Sequence, residues 1–323
     1  MSASRRSALP GWLSAVHPSV AVEVAARRVT AVAVAHTSAG ATITAHATEP
    51  LPAGAVVANI NAQNIADRQA LQGALQRVLE AVGRPRQVGL VVPDTAAKVS
   101  LVRFDTVPAR AADLDAMIRW QVKKAVPFAI EQAQVSWTAT GAAASGGSDF
   151  VVVAMRRDIV EEYESVCAAC GAHAGLVDLA TFNLVNFVLL GEPGGAPPDG
   201  DWLLVNLTPE YSTLAIVRGA SLVFYRNRLA DAEGHLADLV HQTAMYYEDR
   251  LGGGGFSRVV VGGDKAALEP EVDALRETLE GRLRRPVETL ALARTATLAD
   301  RITVSPEVQA ALAAPVGLVL REG

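Results

Sequence analysis

Residues Ala112–Phe128 read ADLDAMIRWQVKKAVPF. Leu114, Met117, Ile118, Val122 and Val126 recur at three- and four-residue spacing, which gathers them on one face of a helix. Asp113 and Asp115 fall in its first turn and Lys123 and Lys124 near its end, an order that suits the helix dipole. Pro127 is expected to stop the helix, because the residue before a proline is excluded from the α region. Trp120 adds a large apolar surface beside Arg119. An amphipathic helix ahead of a proline is a common object, so its flanks must say what it belongs to.

Immediately around it lie strand patterns at Val99–Phe104, Gln134–Thr140 and Phe150–Met155, a flexible hairpin tip at Gly141–Ser148, and a helix pattern at Asp158–Ala169. Strand, helix, strand, strand, helix predicts a small α/β unit spanning residues 98–170. Upstream, Val20–Val24, Val29–His36 and Ala41–Ala47 form a meander, turning once through Ser38-Ala39-Gly40. A helix at Ile65–Val82 follows, with Leu71, Leu75, Val78, Leu79 and Val82 on one face. The apolar run Val88–Val92 then reads as a buried parallel strand.

Downstream, a strand at Gly175–Leu179 and a helix at Thr181–Leu190 lead into the Gly/Pro-rich linker Gly191–Asp201. The first pattern then repeats. Trp202–Leu207, Ser212–Val217 and Ser221–Arg226 form a second meander, and Leu236–Leu251 a long helix broken by Gly252–Gly255. A buried strand at Val259–Gly263 and a helix at Leu268–Leu283 come next. A last helix, Val308–Leu320, is begun or interrupted by Pro315. The expected division is a first domain beginning at 1–97, the insertion at 98–170, a return to the first domain and linker at 171–200, a second domain at 201–305, and a C-terminal helix at 306–323 packing back on the first domain.

The 323 residues are enough for two domains of ~150 residues. Half of them are hydrophobic and the net charge is −5, with no basic stripe bearing interleaved aromatics, so nucleic acid is not an expected partner. No uncharged apolar run reaches the ~18 residues that a membrane helix needs. The N-terminal stretch lacks the apolar core of a signal peptide, and Trp12 and Leu13 are expected to pack on the first domain, so a cytoplasmic protein is expected. Cys167 and Cys170, near His173, are open to a redox or zinc reading. They close a helix rather than open one, and no second ligand pair exists, so they read as small buried helix residues. The six histidines share no ligand spacing and no G-x-S-x-G motif occurs, so no catalytic or metal-binding set emerges.

The duplicated meander–helix–strand pattern resembles the actin and sugar-kinase superfamily, an α/β class of two ribonuclease H-like domains. Within it, short motifs resemble the PilM family of type IV pilus assembly. They are Val107-Pro108 through Val126-Pro127-Phe128, Val177-Asp178-Leu179, Phe224-Tyr225-Arg226, Ala244-Met245-Tyr246-Tyr247, Val261-Gly262-Gly263 and Pro315–Arg321. The superfamily resemblance implies a nucleotide cleft between the halves, with an Asp-x-Gly hairpin from each half and a later Gly-Gly turn. Here Glu23 stands at the first aspartate and Ala25 at its glycine, with Arg27 beyond. Asn206 stands at the second aspartate and Thr208 at its glycine, followed by Pro209, which has no N–H, and Glu210. Gly262 and Gly263 keep the third element. A degenerate cleft is therefore expected, with no cofactor; ATP with magnesium is the disfavoured alternative, either in a filament-forming actin-like ATPase or with Arg27 and Arg28 binding phosphate directly.

The PilM resemblance further implies an adaptor, similar to cell-division FtsA in carrying a small inserted subdomain. It would lie at the inner membrane through its partners. It would take the N-terminal peptide of a PilN-like bitopic membrane protein in a groove beside the insertion, and would contact pilus motor or platform proteins; homo-oligomers stay open. By position, Arg119, Trp120, Val126, Pro127 and Phe128 are the groove candidates.

Overall fold

The computed structural model describes residues 18–321 except 38–39, 143–146, 193–197, 265–268, 300–301 and 303. The positions of Trp12 and Leu13, the Ser38-Ala39 turn, residues 143–146 of the Gly141–Ser148 tip and residues 193–197 of the Gly191–Asp201 linker thus lie outside the described residues.

The first sheet begins with the meander β1 (Val20–Val24), β2 (Arg28–Thr37) and β3 (Gly40–Pro50). Helix α1 (Arg68–Ala81) follows, started by Asp67, whose carboxylate accepts the Ala70 N–H at 2.9 Å. It buries Leu71, Ala74, Leu75, Val78 and Leu79 against the sheet. Strand β4 (Gln87–Val92) then pairs parallel with β1. The inserted sheet is β5 (Lys98–Phe104), helix α2 (Ala111–Val122), β6 (Ala133–Ala142) and β7 (Ser148–Arg156), in the order β5-β7-β6.

Two expectations about this region change. Helix α2 ends at Val122, not at Pro127. The chain turns there through the Ala125 N–H to Val122 carbonyl bond of 2.8 Å. The turn leaves Lys123 and Lys124 exposed and carries Val126 and Ile130 into the apolar core of the inserted sheet. Helix α3 (Arg157–Ala169), expected in the insertion, packs instead with α1 in the core of the first sheet through Ile159, Tyr163, Val166 and Cys167. It is the crossover that delivers β8 (His173–Leu179) parallel to β4, and such a connection must lie on the sheet face.

Helix α4 (Ala180–Leu190) leads to the second meander, β9 (Asp201–Leu207), β10 (Tyr211–Arg218) and β11 (Ser221–Leu229). After α5 (Leu236–Leu251), strand β12 (Arg258–Gly263) pairs parallel with β9. Helix α6 (Glu269–Leu283) and strand β13 (Val287–Thr289), parallel to β12, complete the second sheet. Gly253 lies so close to the Tyr247 ring that a Cβ there would stand 2.0 Å from it, which accounts for one glycine of the Gly252–Gly255 run.

The two-residue strand β14 (Thr297–Leu298) then crosses back to pair with β3 of the first sheet, a link that the sequence pattern does not announce. The last helix, α7 (Pro306–Leu320), begins with a Ser305 cap and Pro306 in its first turn, and continues through Pro315. The two six- and five-stranded sheets with their matching order form the duplicated actin-like fold.

Helices α4 and α7 lie between the sheets and share one core with both. Ala21, Val32 and Val91 of the first sheet meet Trp202, Leu204, Ala215 and Val260 of the second around Leu184, Phe187, Leu312 and Val316. The two helices approach so closely that a Cβ on Gly317 would stand 1.9 Å from the Asn183 carbonyl oxygen. Gly317→Ala should therefore cost roughly 3 kcal/mol of stability in urea unfolding, because backbone rather than a movable side chain blocks it. Gly281→Ala, which meets nothing within 4 Å in α6, should be neutral or stabilising by up to ~1 kcal/mol.

Candidate functional site

Two concavities bear on the expectations from sequence. The first is a cavity of about 450 Å³ between the sheets, at the carboxyl ends of β1, β4, β9 and β12. Both hairpin turns reach it. Glu23, Ala25, Arg27, Asn206, Thr208 and Gly263 line it together with Arg28, Glu210 and Asp264. Gly262 does not: its α-carbon faces Leu290 and Leu184, where a Cβ would approach to 2.6 Å. Gly263 has φ +102° and lies against the second hairpin, so that a Cβ would stand 2.0 Å from the Leu207 carbonyl oxygen. The glycine pair thus serves close packing of one strand end on another.

The polar groups at the cavity floor are engaged with one another. The Ala25 N–H donates to the Arg28 carbonyl at 2.9 Å, and the Thr208 N–H to the Tyr211 carbonyl at 2.9 Å, so both turns spend these donors on themselves. Arg28 donates to Glu23 at 3.2 Å and, from its other terminal nitrogen, to Asp264. Arg27 donates to Glu210 at 3.0 Å, hairpin to hairpin across the cavity mouth. Burial pushes the Glu23 carboxyl above its ordinary range, and Arg28 beside it works in the opposite direction.

Behind this layer lies Asp94, which the sequence reading missed. It follows β4 in a short helical turn and is fully buried. Its carboxylate accepts the Thr181 N–H at 3.0 Å, the Thr181 hydroxyl, the Thr213 hydroxyl at 2.7 Å and the Asn206 amide at 3.4 Å. Its own N–H donates to the Tyr211 hydroxyl at 3.3 Å. Burial raises the Asp94 pKa, while the Thr181 hydrogen bonds favour the charged form. Thr181 belongs to the first half and Asn206, Tyr211 and Thr213 to the second, so this knot ties the halves at the base of the cavity. Only Asn206 among its members carried a signal in sequence, as the residue in an aspartate's place.

The second concavity is a groove of about 580 Å³ on the inserted sheet. Ser136, Thr138, Val151 and Val153 form one wall, Leu176, Val177 and Phe182 the other, and Ala220–Leu222 of the second sheet closes one end. Helix α2 covers the opposite face of the inserted sheet, where Leu114, Ile118 and Val122 meet Val135, Phe150 and Val152. The candidates on and after α2 are therefore not brought to this groove. Val126 is buried in the insertion core and Phe128 packs against it. Pro127 is exposed, Arg119 pairs with Asp115 at 2.6 Å, and Trp120 is 74% exposed on the outer side of α2.

Cys167 is buried in the first core and burial pushes its thiol up to about 12, so it stays protonated, while Cys170 caps α3. Among the described residues, no helix is long and apolar enough to cross a membrane.

Asp94→Ala should lower stability by roughly 3 kcal/mol in urea unfolding, since it strands buried donors from both halves. Asp231→Ala at the exposed rim should change it by less than ~0.5 kcal/mol.

Comparison with known proteins agrees with this architecture. Residues 21–249 match the family model described as type IV pilus assembly protein PilM, more than two thirds of the chain. Among solved structures, the chain is similar to that described as the PilM-PilN type IV pilus biogenesis complex. The TM-score is 0.76 at 15% identity, covering 95% of this chain and 97% of that one. It is less closely similar to the ethanolamine utilization protein EutJ from Carboxydothermus hydrogenoformans, with TM-score 0.49, 10% identity and coverage of 94% and 89%. A Bacteroides thetaiotaomicron protein with an actin-like ATPase fold and unknown function scores 0.46 at 8% identity, with coverage of 91% and 94%. The chain belongs to the PilM family of type IV pilus assembly proteins.

Proposed function

We propose that this chain is a cytoplasmic adaptor of a type IV pilus or related secretion machine, and that it binds the N-terminal peptide of a PilN-like bitopic inner-membrane protein. The observation that carries the reading is the groove on the inserted sheet. The groove opens on the face of that sheet, and two strands with an unpaired edge border it: β6, at the edge of the inserted sheet, and β8, the terminal strand of the first sheet. An extended peptide can pair with such edges through its main chain and set its side chains on apolar walls. Val151, Val153, Leu176, Phe182 and Leu222 supply those walls, and the Arg321–Asp178 ion pair at 2.5 Å adds charge at the rim. A short flexible peptide loses conformational freedom on docking, and a few buried apolar anchors offset that cost. The pairing of a PilM with a PilN in the similar complex supports the same partner. Contact with pilus motor or platform proteins follows from the adaptor role.

The inter-sheet cavity supports the adaptor over an ATPase. Its residues do not fit a magnesium triphosphate. Pro209 offers no N–H, the Ala25 and Thr208 N–H groups are spent in their own turns, and four lining carboxylates (Glu23, Glu210, Asp231, Asp264) face two guanidinium groups. That surplus repels a polyanion.

Calorimetry with the cytoplasmic N-terminal peptide of the PilN-like partner tests the reading. Phe182→Ala, with folding confirmed by circular dichroism, should weaken binding at least ~thirtyfold, the effect of truncating an apolar anchor. Trp120→Ala, on the far side of the sheet, should leave it unchanged. Undiminished binding by Phe182→Ala, or loss from Trp120→Ala, would move the peptide site elsewhere. ATP hydrolysis by the purified protein that depends on magnesium would favour the ATPase.

A further inference from the structure

The floor of the inter-sheet cavity holds one cation between two anions, and all three come from the chain itself. Glu23 is the last residue but one of β1 and Arg28 begins β2 in the first half; Asp264 follows β12 in the second. One guanidinium nitrogen of Arg28 reaches Glu23 at 3.2 Å and the other reaches Asp264. The three side chains are 15%, 11% and 19% exposed, so water does little to weaken the attraction. Their positions are set by backbone pairing rather than by side-chain flexibility. Glu23 is in register with Thr30 on β2, and the Asp264 N–H donates to the Leu207 carbonyl at 2.7 Å. Gly263 permits that approach.

Without Arg28, two carboxylates from opposite halves would face each other in a site largely screened from solvent, and the halves would repel at this point. A diffusible cation could relieve the repulsion only at a concentration set by its affinity; a cation on a strand is always present. The exposed Arg27–Glu210 pair adds a second bridge, but at 57% and 38% exposure it is a weak one. We propose that Arg28 is a tethered cation that holds the two halves of this PilM-family protein closed, in place of any diffusible ligand in the cleft. This goes beyond the adaptor reading and does not depend on it, because the test uses no peptide.

The test is chemical rescue of the full chain, read as its thermal midpoint. Arg28→Ala should lower the midpoint by about 6 °C or more, the size expected for breaking a buried ion pair. Millimolar ethylguanidinium, which fits the deleted group and restores the charge, should return roughly half or more of the loss by binding the folded state. Ethylurea, its neutral counterpart, should return none, and neither should move the wild type. If Arg28→Ala does not fold, the neutralised set Glu23→Gln/Arg28→Met/Asp264→Asn should fold and ignore ethylguanidinium. An unchanged midpoint in Arg28→Ala, equal rescue by ethylurea, failure of the neutralised set to fold, or a rise of the wild-type midpoint with magnesium-ATP would each overturn the proposal.

Discussion

The close crossing of α7 over α4 sets the spacing of everything else. At Gly317 the two helix backbones approach to a separation that leaves no room for a Cβ, and around that point one apolar core runs from the first sheet to the second. Burial of side chains such as Trp202, Phe187 and Val316 between the sheets makes the two halves parts of a single packed body. Apolar burial contributes roughly 25 cal/mol per Å², so a shared core of this kind favours the association of the halves. Polar contacts then decide how the open side of the body is arranged. Ala180 and Leu184 of α4 and Ala310 and Ala314 of α7 reach the wall of the cavity on that side.

In that cavity the balance is electrostatic. Asp94 is the deepest charge, and donors from both halves satisfy its carboxylate. Above it Arg28 neutralises part of the Glu23–Asp264 pair, and at the mouth Arg27 meets Glu210. The layers run from fully buried to largely exposed, and each contact matters less as water approaches. Around that cavity four carboxylates, Glu23, Glu210, Asp231 and Asp264, outnumber the guanidinium groups of Arg27 and Arg28. The other concavity is lined mainly by apolar and small polar side chains instead of charge.

The inserted sheet separates two surfaces that the sequence could not tell apart. Alternation along β6 and β7 sends Val135, Phe150 and Val152 toward α2 and leaves Ser136, Thr138, Val151 and Val153 for the groove. Helix α2 is thus a cover for one face of the sheet. Its apolar stripe is consumed by that packing, and Trp120 remains on the outside.

Local pattern alone determined the elements and their duplication. Period-two strands, the period-3.6 face of α1 and the break at Gly252–Gly255 depend on neighbours a few residues apart, and the structure keeps the elements within a residue or two at most ends. The hairpin positions Glu23, Ala25, Asn206 and Pro209 were found through the superfamily resemblance, and the structure brings them to one cavity. Tertiary structure decided the rest. It assigned α3 to the first core, joined β14 to β3, ended α2 five residues before Pro127 by drawing Val126 inward, and chose which face of the insertion is open. It also brought Arg28 to Asp264 and Asp94 to Thr213, residues 236 and 119 positions apart. Such partners carry no mutual signal along the chain, because the spacing that unites them is measured between strand ends of different sheets rather than along one helix or strand.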